Sequence, residues 1–145
     1  MEIRKIRPED TKKVFELGKD APYFCGFWPQ EVIEALPNSK DVASFVSNIN
    51  GDIVGFVIAP YSRTLKKMTV ENMFVQEQYQ RRIYNHKVIS QHLANALLEE
   101  ARKLGISRID SLVDAHHKAV IKMNERNGMG FHPSDYKWGT KKIDY

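Results

Sequence analysis

The sequence predicts an α/β domain of the α+β kind, with a central mixed, mostly antiparallel twisted sheet and helices on both faces. Three observations point there. Asn50-Gly51 stands between two apolar runs, the strongest short hairpin signal available, because both residues tolerate positive φ. His86 to Leu104 carries Val88, Ile89, Leu93, Ala96, Leu97 and Ala101 at helical spacing and is followed by Gly105, where a left-handed cap belongs. The order of elements places a three-strand meander ahead of strand–helix–strand crossovers, which implies a mixed sheet. Repeats, low-complexity segments and linkers are absent from the sequence, so the whole of 1–145 reads as one domain.

In chain order, Glu2 to Arg7 reads as a first strand with Ile3 and Ile6 apolar. Arg7-Pro8-Glu9-Asp10 opens a helix to about Lys19, since proline suits a first turn and acidic residues there face the positive helix end. Val14, Phe15 and Leu17 give its apolar stripe. Pro22 to Trp28 is an aromatic-rich connection, read here as a lid over the core. Pro29 to Leu36 is a second short helix, stopped by Pro37-Asn38-Ser39. Val42–Ile49 and Asp52–Ala59 form the hairpin about Asn50-Gly51, and Ser62–Lys67 is a basic turn. Met68–Val75 is the third strand of the meander, and Gln76–Asn85 a polar loop without glycine. After the long helix, Ile106–Val113 is a strand, Ala115–Asn127 a helix ending at Gly128, and Phe131–Tyr145 one or two closing strands.

Composition narrows the function classes. The chain has 145 residues, 42% hydrophobic and 28% charged, which are globular values. No apolar run approaches the ~18 residues of a membrane helix. The charged N-terminus has no apolar stretch behind it, so no secretory leader is expected. A single cysteine, Cys25, excludes a disulfide framework within the chain and suits a reducing cytosol, so the expected location is cytoplasmic. The net charge of +4 is mild. Its densest basic cluster, Gln80-Arg81-Arg82 with His86-Lys87, is too small for a general duplex-binding face, and nucleic acid is not the expected partner. It is large enough for a phosphate-bearing small molecule, or it is a solvated loop. His116 and His117 are adjacent but lack acids or cysteines at ligand spacing, so no metal site is expected.

The order of elements and several local stretches resemble the GNAT acetyltransferase superfamily over essentially the whole chain. Ile-Arg-Lys-Ile-Arg-Pro-Glu-Asp at the N-terminus is similar to the family's opening, and Val70-Glu71-Asn72-Met73-Phe74-Val75 to its fourth strand. Gln76-Glu77-Gln78-Tyr79-Gln80-Arg81-Arg82 resembles the approach to its acetyl-CoA loop, and Leu97-Leu98-Glu99-Glu100-Ala101 its third helix. Asn124-Glu125-Arg126-Asn127-Gly128-Met129 resembles the family's Tyr-Glu-Lys-x-Gly-Phe segment. The resemblance implies the GNAT fold, acetyl-CoA as co-substrate and an amine acceptor, either a small molecule or a protein, with a homodimer as a candidate assembly.

The resemblance also distributes roles. The end of the family's fourth strand pairs with the pantetheine amides, and Phe74 and Val75 stand at that position. The pyrophosphate loop, Gln/Arg-x-x-Gly-x-Gly/Ala, falls on Gln80–Asn85 counted from the strand, or on Asn85–Ser90 counted back from the helix, with no glycine in either register. The helix-anchored register, which brings in His86, Lys87, Val88, Ile89 and Ser90, is preferred for an N–H cradle, with Arg81, Arg82 and Lys87 supplying side-chain contacts to phosphate. His117 stands where the family often has an asparagine near CoA. Glu71, between apolar Val70 and Met73, is the expected proton acceptor. The competing reading is a structural acid paired with Arg63, Lys66 or Lys67. Asn124 replaces the tyrosine that often protonates the thiolate. His92, between core positions of the long helix, reads as structural. The expected function is acetyl-CoA-dependent N-acetyl transfer. The alternative, which the glycine-free loop and Asn124 favour, is a non-catalytic GNAT-fold binding or interaction module.

Overall fold

The computed structural model describes residues 1–21, 26–131 and 140–143. Met1–Leu112 form one compact unit and Val113–Tyr145 a second. In the first unit, β1 (Glu2–Lys5) is followed by a 3-10 turn over Pro8–Asp10 and α1 (Thr11–Gly18), then by α2 (Gln30–Ala35) and a second 3-10 turn over Leu36–Asn38. The strands β2 (Val42–Ile49), β3 (Asp52–Ser62), β4 (Lys67–Val70) and β5 (Asn72–Val75) come next. A small hairpin of β6 (Ile83–Tyr84) and β7 (Lys87–Val88) precedes α3 (Ile89–Lys103), and β8 (Arg108–Ser111) closes the unit.

The strand order is β1-β2-β3-β4-β8, with β5 also on β3; β4 and β8 run parallel and the other pairs are antiparallel. The expected mixed, mostly antiparallel sheet is therefore observed. β3 is its spine. Ile53 to Ala59 are buried on both faces, which explains an unbroken apolar run instead of alternation. On one face, Ala43, Phe45, Val54, Val57, Ala59, Met68 and Val75 meet Ile89, Leu93, Leu97 and Ala101 of α3. Those four α3 residues recur every fourth position and form one stripe. On the other face, Val46, Ile53, Phe56 and Ile58 meet Val14 of α1 and Ile33 of α2. Phe27 extends this second core as a lid, its ring centroid 5.7 Å from that of Phe56, which in turn stacks on Phe74 at 5.7 Å.

Two local devices fix the frame. At the β2–β3 turn, Asn50 and Gly51 both have positive φ, 52° and 86°, and Asn48 Oδ1 accepts the Gly51 N–H at 2.8 Å. At the start of α1, Arg4 forks onto both oxygens of the buried Asp10, and Asp10 also accepts the Arg7 N–H at 2.8 Å. Burial alone would push the Asp10 carboxyl up. The Arg4 and Arg7 hydrogen bonds and the Arg4 charge outweigh it and hold the group below its ordinary value. This pair ties β1 to the first turn of α1.

Two expected elements differ. Met68–Val75 is two strands interrupted at Glu71, because the partners of β4 on β3 and those of β5 on β3 are one residue out of register. The extra residue is a β-bulge. The long helix begins at Ile89 and not at His86, because Asn85 and His86, with φ of 47° and 65°, form a two-residue turn that folds Ile83–Val88 back on itself. In the second unit, α4 (Lys118–Arg126) ends as expected before Gly128, where Gly128 and Met129 donate to the carbonyls of Glu125 and Asn124, each at 2.9 Å. The closing strands expected over Phe131–Tyr145 lie mainly outside the described residues.

Gly51→Val would place a β-branched residue at φ 86°. It should cost about 1–2 kcal/mol and lower the melting temperature by several degrees in a thermal scan. An unchanged melting temperature would contradict the tight turn.

Candidate functional site

The site is built from the bulge outward. Gln76 N–H bonds to Val54 O at 2.9 Å, and this sets the phase of the β3–β5 ladder. By antiparallel alternation, Phe74, opposite Phe56, points its own N–H and C=O at β3. Met73 and Val75 turn theirs to the outer edge. Beyond Val70 and Ser111 the parallel β4–β8 pairing stops, so the outer edge of β5 has no strand partner among the described residues. Gln80 Nε2 donates to Val75 O at 2.9 Å. The backbone groups that remain for an extended ligand are the Met73 N–H and C=O and the Val75 N–H. Val75 therefore turns its backbone outward, as the expected pairing requires, whereas Phe74 does not and Met73 does. The error is one of phase. It depends on a bulge set by β3, which the strand's own sequence does not carry.

β3 makes room for this arrangement at Gly55. A Cβ there would lie 2.7 Å from Phe74 O and 2.8 Å from Ser47 Oγ, so glycine is required where three strands crowd together.

Glu71 lies at the bulge itself. Its N–H bonds to Ile58 O at 3.0 Å. Its side chain is exposed, not buried as its apolar neighbours suggest. It forms no ion pair among the described residues, and Lys67, one of its expected partners, pairs with Asp110 at 3.1 Å instead. Met68 and Val70 before it, and Met73 and Val75 after it, pack on the α3 core. Two residues thus separate positions that both face α3, and Glu71 and Asn72 both fall on the opposite face.

The segment between β5 and α3 contains no glycine loop. A 3-10 turn over Glu77–Tyr79 leads to Arg81 and Arg82, both exposed, with the Arg82 guanidinium 4.7 Å from the centre of the Tyr79 ring. The β6–β7 hairpin follows and carries His86 and Lys87 exposed at and beside its tip. The structure brings Val88 to the N-cap of α3, with extended backbone and no capping side chain, and Ile89 to its first turn. Ile89 is fully buried, with its side chain in the α3 core. Ser90 follows in the same turn. His92, expected to be structural, is so. Its Nε2 is 2.6 Å from Tyr84 O and ties the hairpin to α3. His117 is the N-cap of α4 in the second unit.

No group of three or more His, Cys, Asp or Glu side chains among the described residues could hold a metal ion. No helix among them is long and apolar enough to cross a membrane. An extended amide-bearing chain fits the open β5 edge. A pyrophosphate fits the uncapped α3 end only if Arg81, Arg82 and Lys87 supply what a glycine loop would otherwise donate.

The sequence profile of the acetyltransferase (GNAT) family matches residues 11–131. No curated protein matches the chain significantly. Among solved structures, the fold is similar to the Escherichia coli ribosomal-protein-S18-alanine N-acetyltransferase, with 21% identity over 88% of this chain and 76% of that one and a TM-score of 0.70. It is similar to an aminoglycoside acetyltransferase from an uncultured soil metagenomic sample, solved with sisomicin, at 14% identity over 97% and 96% of the two chains and a TM-score of 0.72. It is also similar to a transcriptional regulator from Bacillus halodurans, at 13% identity over 98% and 99% and a TM-score of 0.74.

The His92 contact can be tested in isolation. His92→Leu should speed amide exchange across Tyr84–Lys87 and leave the centre of α3 protected, whereas His92→Gln, which keeps a donor in reach of Tyr84 O, should restore slow exchange. Equal exchange in all three proteins would show that the hairpin is held by other contacts.

Proposed function

The chain belongs to the GNAT acetyltransferase family, and from that premise we propose that it transfers an acetyl group from acetyl-CoA to an amine. The observation that carries this reading is the bulge at Glu71. It sets a carboxylate beside the open edge of β5, in the same unit as an uncapped helix end flanked by basic side chains. In this reading Met73 and Val75 bond the pantetheine amides, and the α3 N-terminus with Arg81, Arg82, His86 and Lys87 holds the phosphates. Glu71 takes a proton from the incoming ammonium. The freed nitrogen lone pair attacks the thioester carbonyl carbon, the C–S bond breaks, and the proton shed by the new amide nitrogen balances the CoA thiolate. Asn124 has no acidic proton to give, and its carbonyl serves the α4 terminus. His117, at the N-cap of α4 in the second unit, stands where the family often has an asparagine. The family profile runs across the boundary at Leu112, which supports reading both units as one acetyltransferase domain. The lone Cys25 supports a cytoplasmic location. β1 pairs only with β2 among the described residues, and this open edge supports a homodimer.

A second reading has its own observation. The hairpin over Ile83–Val88 occupies the segment where the family has its glycine loop, and one protein of similar fold is named a transcriptional regulator. A non-catalytic binding module follows from that. Calorimetry with acetyl-CoA separates the two: micromolar binding keeps the enzyme, and no heat at millimolar ligand leaves the module.

Arg81→Ala, Arg82→Ala and Lys87→Ala should each weaken CoA binding, and the loss should shrink at high salt, because side-chain charge replaces the missing backbone cradle. Three variants that bind like the parent would put the phosphates elsewhere. Glu71→Gln should lower acetyl transfer by roughly 10²–10⁴-fold with CoA affinity and melting temperature unchanged, because the exposed side chain bears no packing load. An intact rate would remove Glu71 from the chemistry.

A further inference from the structure

The bulge carries a second polar side chain to the face that Glu71 occupies. Asn72 is 5% exposed. Its amide makes no hydrogen bond among the described residues, and yet its atoms are not among the fully enclosed unpaired ones. Its polar tip therefore touches solvent while the rest of the residue is covered. Asn72 lies directly opposite Ile58 and two residues from Phe74, both of the α1–α2 core.

Three of the other buried polar residues of the unit differ from it; the fourth, Ser44, opposite Ile58 on β2, also makes no side-chain hydrogen bond among the described residues but has no carboxylate beside it in sequence. Asp10 holds Arg4, and Thr11 Oγ1 donates to Pro8 O at 2.9 Å. Ser47 Oγ is also unpaired, but it is sealed against Gly55 and no ligand can reach it. An amide covered by apolar neighbours and reached by solvent only at its tip is thinly hydrated, and leucine or methionine would fill the same site without that cost. Unpaired polarity that reaches the surface beside a carboxylate marks a place for a ligand.

The face decides which ligand. Ile89, at the start of α3, packs on the opposite face of the sheet, so a CoA held by that helix end reaches the bulge from the α3 side. The face with Glu71 and Asn72 is left for the acceptor. Resting on the acetyltransferase reading above, we propose that Asn72 binds the acceptor amine. Oδ1 accepts one N–H of the neutral amine and turns its lone pair toward the thioester carbonyl, and Glu71 takes the proton that the ammonium loses. The acceptor is then a primary amine, which keeps one N–H for Asn72 while the other is lost during transfer.

The test compares the parent with Asn72→Leu and Asn72→Ala. Apo melting temperature, acetyl-CoA affinity by calorimetry, and acetyl transfer to two probes, sisomicin and an alanine-terminated peptide, are measured. Asn72→Leu should melt at or above the parent, by roughly 2–4 °C, since an unpaired amide is removed. Both variants should keep acetyl-CoA affinity within about twofold and raise the acceptor KM by about tenfold, the loss of one hydrogen bond. If the leucine and alanine variants both melt several degrees below the parent, Asn72 is a structural residue and the inference fails. If acetyl-CoA binds and the acceptor KM does not move in either variant, the inference alone fails. If the parent binds no acetyl-CoA, the acetyltransferase reading itself fails.

Discussion

The carbonyl of Ile58 receives the N–H of Glu71 at 3.0 Å while Asn72 lies directly opposite Ile58, so two residues share one position on the neighbouring strand. β3 is buried on both faces and pairs with β2, β4 and β5, so it cannot shift to absorb the extra residue. The strain is taken up by the meander's third strand, which breaks in two. From that break follow the end of the β4–β8 pairing at Val70 and Ser111, the open edge of β5, and the appearance of Glu71 and Asn72 on one face. Gly55 is part of the same constraint, because a side chain there would collide with Phe74 O and prevent β5 from closing on β3.

The approach to α3 is governed by a different balance. The start of α3 at Val88 has an extended backbone and no capping side chain. In glycine-loop proteins the backbone itself curls round an anion. Here Asn85 and His86 take positive φ, and the chain spends six residues on a hairpin that His92 holds against α3. Under the proposed function, that change moves recognition from backbone to side chains. Side-chain cations are screened by salt and reach anions through flexible stems, so such a site trades geometric precision for adjustable charge. Tyr79 offsets part of that flexibility by carrying the Arg82 guanidinium on its ring.

The two faces of the sheet divide the labour. The α3 face is an uninterrupted apolar stripe, Ile89, Leu93, Leu97 and Ala101, and in the proposed function its working edge is the helix end. The α1–α2 face carries the phenylalanine rings of Phe15, Phe27, Phe56 and Phe74, and the polar pair at the bulge lies on the same side. A carboxylate and an amide beside stacked rings suit a nucleophile that must be desolvated, held and deprotonated, whereas the opposite face suits an anion that must be gripped from outside.

What the sequence determined by itself was whatever rests on local chemistry. Asn50-Gly51 demanded a tight turn and has one. The every-fourth-residue stripe from Ile89 to Ala101 demanded a helix, and Gly105 and Gly128 marked two helix ends at φ 72° and 86°. The unbroken apolar run from Ile53 demanded a strand, and its burial on both faces came with the sheet. The family was legible for the same reason, because it is written in the order of such elements. What only the tertiary structure decided was phase. Whether Phe74 or Met73 turns its backbone outward, whether Glu71 is covered or exposed, and whether Asn72 shares its face depend on one extra residue opposite Ile58. That offset is a property of two strands meeting, and neither strand's sequence contains it. The hairpin at Ile83–Val88 was hidden likewise, since Asn85-His86 is an unremarkable pair until His92, eight residues from Tyr84 and one helical turn into α3, closes on the Tyr84 carbonyl.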